Sequence, residues 1–282
     1  MLLESERWVH VPRDGTRIED ERRLLVHLPK RWGTSRVWRS WVADEGRASE
    51  LVEETIGEVR AAGGGRFVWH TGDGIAPPFM DDCLARHGFR TTQKLEVLAF
   101  FLVDGQESLL PRKGVPEGVI VGLVHDTEGL REALRVESEV SEVFRSPQSS
   151  DEEVAEYAGE LEKLRSQERG ELLGEGASKA LRFVARVDPA PGCEGDDARS
   201  IVAAAGAQVV GETLRLWGAA THEAFRGRDA FGALVLERCR VGRQLGATLA
   251  MAKANIATSA PMLERAGFRR FGTERRHVLE IR

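Results

Sequence analysis

Apolar and polar positions along this chain follow two periods, and the switches between them mark its elements. Leu51, Val52, Thr55, Ile56 and Val59 recur at helical spacing and predict a helix that stops at Gly63-Gly64-Gly65. Short apolar runs at 66–70 and 95–102 predict strands on either side of a second, short helix. Further on, the pattern predicts a strand at 119–124, a helix at 127–144, and another helix at 149–165 capped by Ser150 or Asp151. Leu181, Phe183, Ala185 and Val187 alternate with Arg182 and Arg186, the period of a half-buried strand. A Pro/Gly loop over 188–199 leads into a strand at 201–210, and 213–221 returns antiparallel to it with Leu214 and Leu216 on one face. A helix, a strand at 247–254, a short helix and a final strand at 277–281 close the chain. The second part therefore reads β-α-α-β-β-β-α-β-α-β, a mixed α/β (α+β) fold with a central sheet flanked by helices.

A Pro/Gly/basic break at 111–116 separates two halves and predicts domains at 1–110 and 117–282. Trp8, Trp32, Trp38, Trp41 and Trp69 all precede the break, so the halves differ in core chemistry. They nevertheless share a segment. Leu84-Ala-Arg86-His-Gly88-Phe89-Arg90 matches Leu263-Glu-Arg265-Ala-Gly267-Phe268-Arg269 at a constant offset of 179, with a strand before and after each copy. A helix closed by a glycine beyond its C-cap, with Phe folding back on it, explains each copy locally. The shared flanking order argues for an internal repeat.

Composition narrows the function classes. Hydrophobic content of 41%, charged content of 30% and a net charge of −5 describe a globular chain without the basic stripe that nucleic acid demands. Cys83, Cys193 and Cys239 are scattered, which excludes a disulfide framework and a structural zinc site. The acidic loop at 193–197 lacks partners at metal spacing, and Gly63-Gly64-Gly65 ends a helix rather than opening one, so it reads as a turn. No apolar run approaches the roughly 20 residues that span a bilayer, and no secretory leader is evident, so a cytoplasmic location is expected.

The chemistry concentrates at Thr221-His222-Glu223-Ala224-Phe225-Arg226-Gly227-Arg228-Asp229-Ala230-Phe231, where a strand hands over to a helix. A helix N-terminus offers unpaired N–H groups and the positive end of a dipole, and flanking arginines favour a phosphate-bearing ligand. This arrangement resembles the GNAT superfamily of acetyl-CoA-dependent N-acetyltransferases, whose signature is Arg/Gln-x-x-Gly-x-Gly/Ala between the fourth strand and third helix. Gly267-Phe268 is similar to the Gly-Phe that closes the family's fourth helix. The match covers 117–282, and the repeat extends a degenerate copy over 1–110.

The resemblance implies acetyl-CoA as co-substrate, a small-molecule or peptide amine as acceptor, and no nucleic-acid or membrane partner. It implies that Arg226, Gly227, Arg228, Asp229, Ala230 and Phe231 contact the pyrophosphate, that Ala220, Thr221 and His222 run beside the pantetheine, and that Asn255 and Ser259 lie near its far end. Asp229 stands at the family's middle glycine and Phe231 at its final Gly/Ala, and Asp229 is also suited to capping the helix. Many members carry a tyrosine where this chain has Leu263; its one tyrosine is Tyr157. Glu212 and His222, at the two ends of the fourth strand, are the candidate bases, with Glu137 and Glu139 as further residues on the acceptor side. The corresponding turn of the first half, at 43–48, is acidic, so that half is expected to bind no coenzyme. The alternatives are a non-catalytic binding or regulatory module on the same fold, and an aminoacyl-tRNA-dependent transferase, which the net acidity disfavours.

Overall fold

The computed structural model describes residues 9, 11, 15–28, 34–102, 118–140, 179–187 and 201–281. The predicted helix at 149–165, the loop at 188–199, the break at 111–116, Cys193 and Tyr157 lie outside the described residues. The elements begin with β1 (Thr16–Glu19), β2 (Arg23–His27), β3 (Thr34–Ser40), α1 (Glu45–Ala61), β4 (Gly65–Gly72), α2 (Met80–Arg86) and β5 (Arg90–Phe101). They continue with β6 (Val119–Leu123), α3 (Thr127–Val140), β7 (Lys179–Val187), β8 (Ile201–Val210) and β9 (Thr213–Thr221). A 3-10 turn (Glu223–Phe225), α4 (Ala230–Gln244), β10 (Leu249–Asn255), α5 (Ser259–Arg265) and β11 (Arg269–Ile281) complete the order. Among the described residues no helix is long and apolar enough to cross a membrane.

The chain forms two compact units, and they do not divide where the break at 111–116 suggests. Unit 1 is Met1–Leu98 with Lys253–Ala260 and Arg270–Arg282; unit 2 is Ala99–Ala252 with Pro261–Arg269. The reason is strand pairing. The last strand, β11, runs antiparallel to β4 in unbroken register from Glu274↔Gly72 to Ile281↔Gly65, so the C-terminus belongs to the unit built from the N-terminus.

Within unit 1 the strand order is β1-β2-β3-β4-β11-β5. One face is apolar: Leu25, Val37, Phe67 and Trp69 pack against Leu51, Val52 and Val59 of α1 and Met80, Cys83 and Leu84 of α2. The helical spacing of the α1 residues thus buries one stripe, as the sequence predicts. Asp44 caps α1 through the amide of Arg47 at 2.9 Å. The opposite face carries Leu24, Val26 and Trp38, and beside them a charged cluster on β3, β4, β10 and β11 that is described below.

Within unit 2 the order is β10-β9-β8-β7-β6. Leu130, Ala133 and Val136 of α3 pack on Val184, Ile201 and Ala204. On the other side of the sheet Leu214 of β9 meets Gly242 of α4, where an added Cβ would come within 2.7 Å of the leucine. Cys239, on α4, is buried and unpaired, and burial pushes its thiol up to about 12.

The two copies of the Leu-x-Arg-x-Gly-Phe segment have the same geometry. α2 and α5 each have seven residues, and Gly88 (φ 85) and Gly267 (φ 93) both take the left-handed conformation. Phe89 N–H bonds Leu84 O at 3.0 Å, and Phe268 N–H bonds Leu263 O at 3.0 Å. This is the helix-closing motif expected from the sequence.

Candidate functional site

β9 is the strand that sets the geometry. It pairs antiparallel with β8 all the way to Thr221, but its parallel ladder with β10 runs only from Thr213↔Leu249 to Leu216↔Ala252. A bulge falls at the point where that ladder ends: Ala205 faces Ala219 and Gly206 faces Trp217, so Gly218 is the extra residue, with φ 52. Beyond the bulge, the backbone N–H and C=O groups of β9 on the β10 side are released from the ladder.

At the exit of β9, His222 donates its backbone N–H to Val202 O at 2.8 Å, and its ring meets Phe225 edge-on at 5.9 Å. The guanidinium of Arg228 lies 5.4 Å from the Phe225 ring centroid, and Arg226 reaches Glu223 at 4.0 Å. Both arginines are exposed. Asp229 then takes φ 56 and ψ 23, and among the described residues it is the only non-glycine with positive φ. The backbone therefore holds a left-handed conformation where the resemblance places glycine. An L-residue does this at a cost of about 1–2 kcal/mol, less for Asp.

The expectation that Asp229 caps α4 with its side chain does not hold. Its carbonyl accepts the first helical bond, from Ala233 N at 3.0 Å, but its carboxylate makes no capping bond. The carboxylate lies instead against Gly232, where a Cβ would sit 2.5 Å from Oδ1. A capping residue normally has extended backbone, and from its left-handed backbone Asp229 sets the carboxylate beside the third residue of the helix without making a capping bond. The first turn of α4 thus receives no side-chain capping bond, and it follows Arg226 and Arg228 directly in the chain. Ala230 is buried under the turn and Phe231 is half-buried.

The other sequence-predicted residues are placed as follows. Glu212 is exposed in the hairpin turn between β8 and β9, and its carbonyl accepts from Thr248 and Leu249. It stands at the opposite end of the nine-residue β9 from His222, about 30 Å away at roughly 3.3 Å per residue. These two candidates do not share one site. Asn255 and Ser259 belong to unit 1 and serve a local turn: Ser259 Oγ accepts from Asn255 N at 3.0 Å, and Asn255 Oδ1 accepts from Ala257 N at 2.8 Å. Leu263, at the tyrosine position, is buried. Glu137 is not available as a base, because Arg182 binds both of its oxygens at 2.6 Å, out of solvent. The Arg182 guanidinium in turn lies 4.3 Å from the Trp217 ring centroid. Glu139's side chain lies outside the described residues.

In unit 1 the turn at 43–48 borders a groove of about 840 Å³ lined by Ser40, Trp41, Arg22, Arg47, Glu21 and Glu50. Asp44 takes one of the helix amides there, and the walls carry the acids Glu21 and Glu50 beside Arg22 and Arg47.

Hydrophobic patterning overlooks one signal. Thr34-Ser35-Arg36-Val37-Trp38 and Thr213-Leu214-Arg215-Leu216-Trp217 are the same Thr-x-Arg-x-Trp pattern at the same offset of 179. The strands that carry them also share their pairing, because the β3–β4 ladder runs in parallel from Thr34↔Arg66 only to Val37↔Trp69. A bulge follows at Trp38 as one follows at Gly218. Burial pulls both Arg36 and Arg215 down to about 10.

The sequence matches no protein-family profile and no curated protein. Solved structures do match. A conserved protein of unknown function from Staphylococcus epidermidis has TM-score 0.63 at 17% identity, covering 95% of each chain. A GCN5-related N-acetyltransferase from Sphaerobacter thermophilus has TM-score 0.63 at 17% identity, covering 93% of this chain and 81% of that one. A tandem GNAT protein from the clavulanic acid biosynthesis pathway has TM-score 0.55 at 15% identity, covering 92% and 78%. The chain has the GNAT fold, a mixed sheet flanked by helices, at low sequence identity.

Proposed function

We propose that unit 2 binds acetyl-CoA and transfers its acetyl group directly to an amine. The observation that carries this reading is the turn at 226–231. Its backbone keeps the glycine conformation at Asp229 and leaves the first turn of α4 without a side-chain capping bond, directly after Arg226 and Arg228 in the chain. The break in the β9–β10 ladder supports it, since the released groups of β9 suit the two amides of a pantetheine arm. With the pyrophosphate at 226–231 and the arm along 220–222, the thioester falls near the Gly218 bulge. Outward-facing amides there would polarise its carbonyl. The amine nitrogen attacks that carbonyl, the C–S bond breaks, and the proton leaves the amine through water. His222, at the pyrophosphate end, suits coenzyme contact better than proton removal. Glu212 stays a candidate base only for an acceptor that enters at the start of β9. Holding both reactants side by side supplies much of the acceleration. The 1–110 half then serves as a degenerate, structural copy, as its acid-capped turn favours.

The test is calorimetric titration with acetyl-CoA, followed by thiol release across an amine panel. Micromolar binding, about −8 kcal/mol, is expected. Arg226→Ala and Arg228→Ala should each weaken it about tenfold, ~1.4 kcal/mol. Absence of binding would rule the reading out. Leu263 and Glu137 favour one alternative, a module that binds the coenzyme without turnover. Tight binding with no thiol release for any acceptor would select it.

A further inference from the structure

Buried polar side-chain atoms without a partner are rare, and each one asks for an explanation. Among the described residues they include Arg36 Nε, Trp38 Nε1 and His70 Nε2, and these belong to one contiguous patch of unit 1. Trp38 and His70 stack at 4.6 Å with an interplanar angle of 14°. The Arg36 guanidinium lies 5.9 Å and Lys253 Nζ 5.3 Å from the Trp38 ring centroid. Beneath them Glu274, fully buried, accepts from His70 Nδ1 at 2.9 Å and from Lys253, with Arg276 Nε at 3.5 Å.

Arg36 is the cation of this patch without an acidic partner among the described residues. Among the described residues, Lys253, His70 and Arg276 already engage the Glu274 carboxylate, and the Arg36 guanidinium beside them makes no ion pair, with Arg276 and Arg66 adding like charge near it. An unpaired guanidinium calls for an anion. The Glu274 carboxylate takes the Nδ1 proton of His70, so His70 Nε2 presents a lone pair and needs a donor. Arg36 Nε and the Trp38 N–H need acceptors. Arg36 and Arg276 are the partly exposed members of the patch, while the Trp38 and His70 rings lie beneath the surface.

We infer that this patch is a binding site for a small oxyacid anion that also carries one hydroxyl. Its carboxylate or phosphate oxygens would be taken by Arg36 and the indole N–H of Trp38, and its hydroxyl would donate to His70 Nε2. The site lies within unit 1 and does not depend on coenzyme binding in unit 2.

Titration of the full-length protein with lactate, inorganic phosphate and propionate tests it. Lactate and phosphate each carry both groups, and propionate lacks the hydroxyl. Saturable binding of lactate, phosphate or both is expected, and the stronger of the two identifies the headgroup. Propionate should bind at least fivefold more weakly than lactate. Arg36→Met should weaken binding at least tenfold and Arg36→Lys by less, with far-UV circular dichroism unchanged. A ligand-induced rise in Tm should appear in the parent protein and vanish in Arg36→Met. No saturable binding of any probe, or binding that is indifferent to both Arg36 variants, would overturn the proposal and assign the unpartnered atoms to ordered water.

Discussion

Asp229 concentrates the chemistry of this chain into one backbone torsion. Asp229→Ala keeps an unfavourable left-handed conformation and loses the residue type that tolerates it, so urea melts should show about 1 kcal/mol of destabilisation. Asp229→Gly relaxes the torsion and removes a carboxylate from the proposed phosphate site. Its stability should stay within ~1 kcal/mol of the parent. Calorimetry should show acetyl-CoA affinity increased about tenfold. At the same scale, His70 ties stability to pH. Burial pulls it from its ordinary 6.5 to about 4, against the pull of Glu274. The unfolded chain therefore binds a proton that the folded chain refuses. The stability this contributes is fully present above about 6.5 and is lost as pH falls to about 4, for a total of about 3 kcal/mol. His277 is also held below its ordinary value, by burial, and acts in the same direction. Burial would push Glu274 up, but Lys253, His70 and Arg276 together hold it well below the carboxylate range, so further loss follows in stronger acid. Urea melts across this pH range should show a shallower decline for His70→Asn, which keeps a donor toward Glu274 but does not titrate.

At the scale of elements, the two Thr-x-Arg-x-Trp strands share their pairing as well as their sequence pattern. β3 and β9 each open with a short parallel ladder, each bulge at or beside the position of the tryptophan, and each feed a helix. In β9 the tryptophan lies flat across its neighbour. An added Cβ at Gly206 would stand 2.5 Å from the Trp217 ring, and the Arg182–Glu137 pair caps the opposite face. Gly206→Ala must displace that ring, and urea melts should show a loss of about 1–3 kcal/mol. In a Trp217→Ala background the same change should cost much less, because the two sites are coupled. The repeats of α2 and α5 were legible from sequence because a glycine beyond a helix C-cap leaves a local signature. The ladder breaks were not, since they depend on where a neighbouring strand stops pairing.

For the molecule as a whole, the placement of β11 is the decisive feature. A chain ending at residue 268 loses the strand that pairs with β4 and loses Glu274 from beneath His70, Lys253 and Arg276. Hydrogen exchange should then show loss of protection in β4 and β3, residues that lie about 200 positions away in sequence. A fragment ending at residue 102 should likewise fail to fold, since unit 1 draws on both Lys253–Ala260 and Arg270–Arg282. Protected amides in β4 of either truncated chain would show that the N-terminal residues fold without their C-terminal strand.

The sequence by itself determined the described strands and helices from α1 onward, though not β1, β2 or β3, together with the closing motif of α2 and α5 and the strand-to-helix turn at 226–231. Each is written in local spacing: alternation for a half-buried strand, a 3.6-residue stripe for α1, a glycine where the chain must turn left-handed. Tertiary structure alone decided that Asp229 makes no side-chain capping bond and that Asn255 and Ser259 serve a turn in unit 1. It also decided that Glu274 and His277, charged or polar residues of a kind that reads as solvated strand surface, are buried. The physical reason is that burial of a charge depends on partners. Here those are His70 and Lys253 for the first and Thr71, Asp81 and Thr91 for the second, brought in by strands far apart in the chain.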